Sequence, residues 1–163
     1  MQKAALDERF TQAIRAYRAS MFALARSMLK NDCDAEDAVS AATLAAYRAA
    51  GRIRDWSRIK AYLLTVTANC CRGILRQRKR ETVCDVAVML DQLPAREQPL
   101  YVLLDGLPEE QRAVLHLFYY EDMPVADIAR TLRLPRGTVT ARLTRGRQRL
   151  RALLQAEREE ALR

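Results

Sequence analysis

Apolar residues recur every three or four positions along most of this chain, and this spacing predicts amphipathic α-helices. The first series consists of Phe10, Ile14, Tyr17, Met21, Leu24 and Met28. A second helix is predicted over "AEDAVSAATLAAYRAA", with Asp32 or Asp34 as its N-terminal cap. Because this segment is nearly free of bulky side chains, we expect it to pack closely against its neighbours.

A third helix is predicted after the break at Gly51, with a cap at Asp55 or Ser57, and it extends to about Arg80. At about 100° per residue, its apolar side chains form two strips with a polar strip between them. The first apolar strip holds Ile59, Tyr62, Leu63, Val66, Cys70 and Ile74, and the second holds Leu64, Cys71 and Leu75. The polar strip, the basic ridge, consists of Thr65, Asn69, Arg72, Arg76 and Lys79. This helix is therefore expected to pack on two sides and to keep one polar, basic side.

Residues 81–97 lose this periodicity and become acidic, and Pro94 interrupts helix there, so we interpret them as a linker. A short helical turn is predicted within it, around "DVAVMLDQL".

Beyond the linker, Pro108 starts the apolar helix "EEQRAVLHLFYY", and the short helix "VADIARTL" precedes the tight turn "RLPRG". Because no strand pattern occurs, the sequence predicts an all-α protein of two small helical domains, residues 1–80 and 98–163, joined by that linker.

The last helix follows that short helix and turn in the order of a helix-turn-helix, whose second helix enters the major groove of DNA. Its packed side consists of Val139, Leu143, Gly146, Leu150 and Leu154. The opposite side, the reading face, consists of Thr140, Ala141, Thr144 and Arg145. The flanks consist of Arg142 and Arg149 on one side and of Arg147 and Arg151 on the other. Small side chains on the reading face let the helix backbone approach base edges, and Arg145 can donate hydrogen bonds to guanine. The arginines of the two flanks are placed to bind the phosphates on the two walls of the groove. A terminal helix with a solvated basic face is the alternative interpretation.

The net charge of +8 is unevenly distributed along the chain. Residues 1–80 hold sixteen basic against seven acidic side chains, the linker one against four, and residues 98–163 eleven against nine. Two cationic segments therefore flank an acidic connector, which favours an anionic partner, nucleic acid first. A basic protein without such a partner is the alternative.

Residues that commonly carry chemistry are sparse. The cysteines Cys33, Cys70, Cys71 and Cys84 lack metal-site spacing, and the lone His116 lies in an apolar run, where we expect a partly buried helix residue. We therefore expect reduced thiols, no metal, no cofactor and no catalytic residues, and hence a protein that is not an enzyme. The longest uncharged run, "AYLLTVTANCC", is far shorter than the roughly 18 residues of a membrane span, and no signal peptide is predicted. We expect no membrane insertion and a cytoplasmic location.

Two blocks of sequence resemble the extracytoplasmic-function group of sigma-70-type sigma factors. "LPEEQRAVLHLFYYEDMPVADIARTLRLPRGTVTARLTRGRQRLRALL" resembles their region 4, with the elements "LP-E-QR", "IA" and "GTV-SRL-RAR" in order. "DAEDAVSAATLAAYRA" and "IKAYLLTVTANCCRGILRQRKR" are similar to "DAEDLVQETFLRAYR" and "F-AWLYRIARNLALDLLRRRRR" of region 2. The resemblance implies an alternative sigma factor that binds core RNA polymerase, directs it to specific promoters and is held inactive by an anti-sigma factor.

The resemblance also implies a role for each set of residues. The docking face, which would bind the clamp helices of the polymerase beta-prime subunit, consists of Asp34, Glu36, Asp37, Ser40, Ala41 and Leu44. The basic ridge would bind the minus-10 element as it melts, with Asn69 where the family has its promoter-reading Asn. The residues implied at the minus-35 duplex are Arg136, Thr138, Thr140, Ala141, Arg142, Thr144, Arg145 and Arg149. Region 4 would also contact the polymerase beta flap.

The chain departs from the family pattern at some of these positions. Ser40 and Ala41 replace Gln-Glu on the docking face, which removes polar contacts with polymerase. Thr140 and Ala141 stand where Lys or Arg and then Ser are common, so the promoter sequence cannot be copied from relatives. Gly73 replaces an Asp and should weaken its helix by roughly 0.5–1 kcal/mol relative to Ala. The alternative function is a sigma-like mimic that binds an anti-sigma factor without initiating transcription; Ser40 and Ala41 favour it, and the intact cationic surfaces argue against it.

Overall fold

The computed structural model describes residues 2–81 and 103–163, and these ranges contain helices and no strand. The helices are α1 (Gln2–Leu29), α2 (Asp32–Ala49), α3 (Ile59–Glu81), α4 (Glu109–Tyr119), α5 (Val125–Leu132) and α6 (Arg136–Ala161). Short 3₁₀ turns at Ala50–Arg52 and Trp56–Arg58 join α2 to α3. The predicted all-α class is confirmed. The predicted linker and the helical turn within it lie outside the described residues, apart from Glu81, which ends α3.

Helices α1, α2 and α3 form an N-terminal bundle around one apolar core. Met21 and Leu24 of α1 and Leu63 and Leu64 of α3 are completely buried. The side of α2 that faces them is a stripe of fully buried alanines, Ala35, Ala38, Ala42 and Ala46. Methyl side chains let α2 approach both partners closely, and the predicted close packing is confirmed.

The N-terminal cap of α2 is Asn31, so the prediction of Asp32 or Asp34 was wrong. Asn31 is extended, at φ −143° and ψ 126°, and its Oδ1 accepts a hydrogen bond from the Asp34 N–H at 2.9 Å. Both aspartates already lie inside the first turn, where their charges suit the helix dipole. Only the residue outside the helix has the backbone conformation that lets its side chain reach back to the free N–H groups. Of the two caps predicted before the third helix, Asp55 is observed: it caps the 3₁₀ turn Trp56–Arg58 that leads into α3, and its carboxylate accepts from the Ser57 N–H at 3.0 Å.

The C-terminal unit contains the predicted helix-turn-helix. Helix α5 ends at Leu132, and the next residue, Arg133, is left-handed at φ 54° and ψ 48°, a sharp reversal that directs the chain into α6. Pro135 precedes α6, where its missing N–H leaves no helical hydrogen bond unmade. Val139 and Leu143 are buried as predicted, whereas Leu154 is 40% exposed and was wrongly placed on the packed side. Helix α6 has 26 residues, about 39 Å, and extends beyond α4, which has 11 residues, about 16 Å.

The bundle and the C-terminal unit contact each other along two seams. At the first, α1 packs against α4, and the buried Arg112 side chain donates from Nε to the Ser27 carbonyl and from Nη1 to the Leu107 carbonyl. At the second, α3 packs against α5. The helix-turn-helix is therefore held on the bundle by contacts outside the predicted linker.

Candidate nucleic-acid interface

The reading face of α6 is accessible. Thr140, Thr144 and Arg145 are exposed and Ala141 is half-buried, while Val139 and Leu143 anchor the opposite side. The threonine hydroxyls donate to carbonyls one turn earlier, Thr140 to Arg136 at 3.1 Å and Thr144 to Thr140 at 3.0 Å. Since their hydrogens are engaged, these oxygens are left to act as acceptors, and the Arg145 guanidinium is the donor of the reading face.

The residues that flank the reading face differ in their surroundings, although their positions around α6 predict similar ones. Arg136 and Arg149 are exposed and Thr138 is half-buried. The Arg142 guanidinium lies 3.8 Å from the Glu110 carboxylate, so this flanking cation is partly neutralised.

Arg147, predicted on a phosphate-facing flank, is half-buried and contacts α4. Its Nε donates to the Tyr119 hydroxyl at 2.7 Å, and its guanidinium lies 5.2 Å from the centre of the Phe118 ring. Both aromatic residues are on α4, and the long side chain of Arg147 reaches them from the edge of α6. Arg147 therefore fixes the two helices together.

The basic ridge of α3 divides into two halves. Arg76 and Lys79 are exposed near the C-terminal end of the helix, while Thr65, Asn69 and Arg72 are half-buried. Arg72 donates a hydrogen bond to Asn69 Oδ1, which leaves the Asn69 amide group as a donor. Burial lowers the pKa of Arg72.

The N-terminal half of the ridge is directed at the helix-turn-helix. The hydroxyl oxygens of Thr65 on α3 and Thr131 on α5 lie 3.2 Å apart. The positive charge of Arg133, in the turn before α6, lowers the pKa of Arg72 further. The structure therefore joins all five ridge residues on one helix but places two of them, Thr65 and Arg72, beside the other predicted DNA-binding element.

The docking face of α2 presents one continuous exposed stripe. Asp37, Ser40, Ala41 and Leu44 are exposed at helical spacing, and the apolar Leu44 is 51% exposed. The two remaining carboxylates of this set have partners in the bundle. Asp34 pairs with Arg78 of α3, and Glu36 pairs with Arg18 of α1 at 3.0 Å.

A buried polar cluster beside the second seam has no counterpart in the predictions. His116 is only 1% exposed, more deeply buried than expected, and its Nε2 lies 3.5 Å from the Glu121 carboxylate. Lys60 of α3 pairs with the same carboxylate at 3.0 Å. Burial alone would raise the pKa of Glu121, but hydrogen bonds from His116 and Lys60 outweigh it and lower the pKa to about 2. The only sequence signal for this cluster is a lone His in an apolar run with a Glu just after the helix.

In the described ranges Cys33 is exposed, Cys70 is half-buried and Cys71 is buried, and all three are free thiols. There, no group of three or more His, Cys, Asp or Glu side chains could hold a metal ion. Burial raises the pKa of the Cys71 thiol to about 12, so its reactive thiolate is suppressed. Nor is any helix in residues 2–81 and 103–163 long and apolar enough to cross a membrane.

Sequence comparisons match both blocks of the chain to known families. Residues 13–81 match the family described as Sigma-70 region 2, and residues 97–150 match the family described as Sigma-70, region 4. The ECF RNA polymerase sigma factor SigM of Mycobacterium tuberculosis is 33% identical over 150 residues, which cover 89% of this chain and 76% of that relative. The two families occur in the predicted order along the chain.

Structure comparisons find the same arrangement in solved proteins. The fold is similar to that of the sigma factor RpoE of Bartonella quintana, solved in complex with the anti-sigma factor NepR. That match has a TM-score of 0.74 and 25% identity, and it covers 90% of this chain and 96% of the other. CnrH, solved with the cytosolic domain of CnrY, has a similar fold, with a TM-score of 0.63 at 24% identity over 90% of this chain and 88% of the other.

Proposed function

Since this chain belongs to the extracytoplasmic-function group of sigma-70-type sigma factors, which direct RNA polymerase to promoters, we propose how its surfaces divide that work. The N-terminal bundle binds core polymerase and captures the melted minus-10 strand, and the helix-turn-helix binds the minus-35 duplex. The observation that carries this proposal is the pair of basic surfaces, one on α3 and one on α6, in a chain whose two halves match regions 2 and 4.

On the minus-35 duplex, α6 enters the major groove with its reading face towards the bases. Arg145 donates to an acceptor on a base edge, and Thr140 and Thr144 contribute methyl groups and hydroxyl acceptors. Arg136 and Arg149 bind phosphates on the groove walls, which supplies affinity without sequence preference. Specificity comes from a small number of side chains.

On the melted minus-10 strand, the ridge of α3 binds single-stranded DNA. Asn69 reads an unpaired base with its amide group, and Arg72, Arg76 and Lys79 bind the phosphates beside it. Strand opening is favoured because an unpaired base finds partners on the ridge that a stacked base cannot reach. The chain needs no catalytic group for this step, so it acts by binding and not as an enzyme.

On core polymerase, the exposed stripe of α2 docks through Leu44, with Ser40 and Ala41 beside it. An aliphatic side chain that is half exposed in the free protein contributes most when a partner buries it. Because core RNA polymerase is cytoplasmic, the proposed contact implies a cytoplasmic location for this chain. The relative RpoE was solved with an anti-sigma factor, and we propose that a negative regulator of that class also binds this chain.

Reconstitution with core RNA polymerase tests this proposal. The purified chain is added to core enzyme on a library of random promoter sequences, and the transcripts are sequenced to identify the promoters used. Leu44→Ser is expected to reduce both core binding and transcription by about tenfold, because it removes the apolar centre of the docking face. Leu162→Ser, at a residue that is 87% exposed at the C-terminal end, is the matched control and should change neither. Absence of promoter-dependent transcripts would refute the proposal and favour the mimic.

A further inference from the structure

The end of α4 carries an exposed tyrosine beside the DNA-reading helix. Tyr119 is the last residue of α4 and is 51% exposed, whereas His116 and Leu117 just before it are buried. Its ring meets that of Phe118 edge to face, with the ring centres 5.0 Å apart. Because half of the side chain lies outside the core, Tyr119 presents both an apolar ring and a polar tip to a partner.

Arg147 of α6 holds this tyrosine in one orientation. Its Nε donates to the Tyr119 hydroxyl at 2.7 Å. The same guanidinium lies 5.2 Å from the centre of the Phe118 ring and 5.6 Å from that of Tyr119. Because one cation contacts both rings and the hydroxyl, the position of the hydroxyl is set before any partner binds.

The Tyr119 hydroxyl accepts in this contact, so its own proton is left to donate. A tyrosine hydroxyl can accept and donate at the same time. Within residues 2–81 and 103–163, this hydroxyl has the bond from Arg147 and no acceptor for its proton. Since linked hydrogen bonds polarise one another, a hydroxyl that accepts from a cation is a stronger donor. The end of α4 therefore offers one neutral, oriented donor.

Tyr119 reaches α6 at one edge of the reading face. Arg147 follows Thr140 by seven residues, which is about 20° short of two full turns and about 10 Å along the helix axis. Thr140 and Arg147 therefore lie on the same edge of α6. A helix about 10–12 Å in diameter fills a major groove about 12 Å wide, so the edges of its reading face lie beside the phosphates. The side chain that Arg147 holds then lies at a groove wall.

We propose that the Tyr119 hydroxyl donates a hydrogen bond to a backbone phosphate of the minus-35 duplex, and that Arg147 is the residue that positions it. This inference rests on the proposed function and adds a contact from α4, outside the helix-turn-helix, to the same site. A phosphate oxygen is the acceptor that the hydroxyl proton lacks in the free chain. Because the donor is neutral, the contact strengthens binding to every sequence without releasing a counterion.

Removal of one oxygen tests the contact. Tyr119→Phe keeps the ring, and its binding is measured on a duplex that the natural chain selects from random sequences. We expect about fivefold to tenfold weaker binding, with unchanged base preference and unchanged salt dependence. Tyr47→Phe is the matched control, because Tyr47 is 41% exposed and its hydroxyl donates to Asp7 at 2.9 Å in the N-terminal bundle. This control should bind as the natural chain does. Equal affinities of Tyr119→Phe and the natural chain overturn the proposal.

Duplexes with single neutral linkages identify the phosphate. Each duplex of a set carries one methylphosphonate, which replaces an anionic oxygen by a methyl group at one backbone position. At one position, we expect the natural chain to lose affinity and Tyr119→Phe to lose nothing further. An equal loss for both chains at every position overturns the proposal.

The same duplexes separate positioning from a merely structural role of Arg147. All variants are compared at a temperature at which circular dichroism shows them folded. Arg147→Ala should lose its sensitivity at the same linkage as Tyr119→Phe. The double variant should bind no more weakly than Arg147→Ala alone, because Arg147 acts through Tyr119. An Arg147→Ala chain that keeps the natural sensitivity at that linkage excludes the positioning role.

Arg149→Ala distinguishes failure of this inference from failure of the proposed function. If Arg149→Ala weakens duplex binding and Tyr119→Phe does not, the minus-35 role of α6 stands and the Tyr119 contact falls. If Tyr119→Phe reduces transcription with core polymerase but leaves duplex binding unchanged, the hydroxyl binds a protein surface and the proposal is again overturned. If the natural chain selects no duplex, the proposed function fails, and the Tyr119 contact fails with it.

Discussion

Leu115 on α4 lies so close to Gly146 on α6 that a β-carbon at Gly146 would stand 2.8 Å from Leu115 Cδ1 and 3.2 Å from Cγ. Gly146→Ala therefore forces Leu115 or the helices to shift, and we expect it to lower the free energy of unfolding by about 1–3 kcal/mol. Urea unfolding followed by circular dichroism measures this change.

Gly73→Ala is the matched control for that substitution. Gly73 also lies inside a helix, but a β-carbon there meets no atom within 4 Å. This change should raise the free energy of unfolding by about 0.5–1 kcal/mol, since Ala is the better helix former. Equal effects at the two glycines would contradict the close approach of Leu115 to α6.

Replacement of Arg145 tests the reading face. Arg145→Ala should relax discrimination at one base pair of the minus-35 element by about 1–3 kcal/mol, because a base-edge donor is lost. Arg149→Ala should instead weaken binding to all sequences and reduce the salt dependence by roughly one phosphate contact. Binding selection on random duplexes, repeated at two salt concentrations, measures both effects. An unchanged base preference in Arg145→Ala excludes that residue from base recognition.

Removal of Arg147 separates a packing role from a DNA-binding role. Arg147→Ala removes the hydrogen bond to Tyr119 and the contact with Phe118, so we expect a loss of about 1–2 kcal/mol in unfolding free energy. The salt dependence of DNA binding should stay as in the natural chain, unlike that of Arg149→Ala. Tyr119→Phe keeps the ring and removes only the hydroxyl, and it should show a smaller loss. A weaker salt dependence of DNA binding in Arg147→Ala would instead indicate that Arg147 contacts a phosphate.

The carboxylate of Glu121 should make stability depend on acid pH. Because its pKa is about 2 in the folded chain and about 4.3 in an unfolded one, its contribution is fully present above about pH 4.5. That contribution, roughly 3 kcal/mol at most, is lost as the pH falls from about 4.5 towards 2. Unfolding free energies measured between pH 6 and pH 3 should therefore converge for the natural chain and Glu121→Gln. Parallel curves would contradict the depressed pKa.

Much of the fold follows from periodicity, because burial of apolar residues repeats with the helix. Val139 and Leu143 were placed correctly in this way, and the alanine stripe of α2 was foreseen as a close-packing surface. Leu154 was misplaced because periodicity does not show where the partner helix ends. The contact of Arg147 with α4 could not be foreseen because the rings lie on another helix, 28 residues earlier for Tyr119.

The contact between bundle and helix-turn-helix could not be predicted from the pattern. Thr65, Asn69 and Arg72 have the polarity of a solvent-facing or DNA-facing strip, and a polar seam between domains has the same appearance in sequence. Arg112 is only 2% exposed, although arginine is almost never fully buried unless its charge is paired or hydrogen-bonded. Its partners are backbone carbonyls, which every residue has, so no side-chain pattern could indicate the burial.

The two sides of α2 are under different constraints: the inner side packs against the core of the bundle, and the outer side is exposed. The inner side holds Ala35, Ala38, Ala42 and Ala46 beside Val39, all fully buried, so a larger side chain at an alanine position meets a packed core. The outer side makes little contribution to the core, so residues such as Ser40 and Ala41 can change with small cost to stability. Under the docking role proposed above, substitutions on the outer side can therefore change the affinity for polymerase while the bundle stays intact.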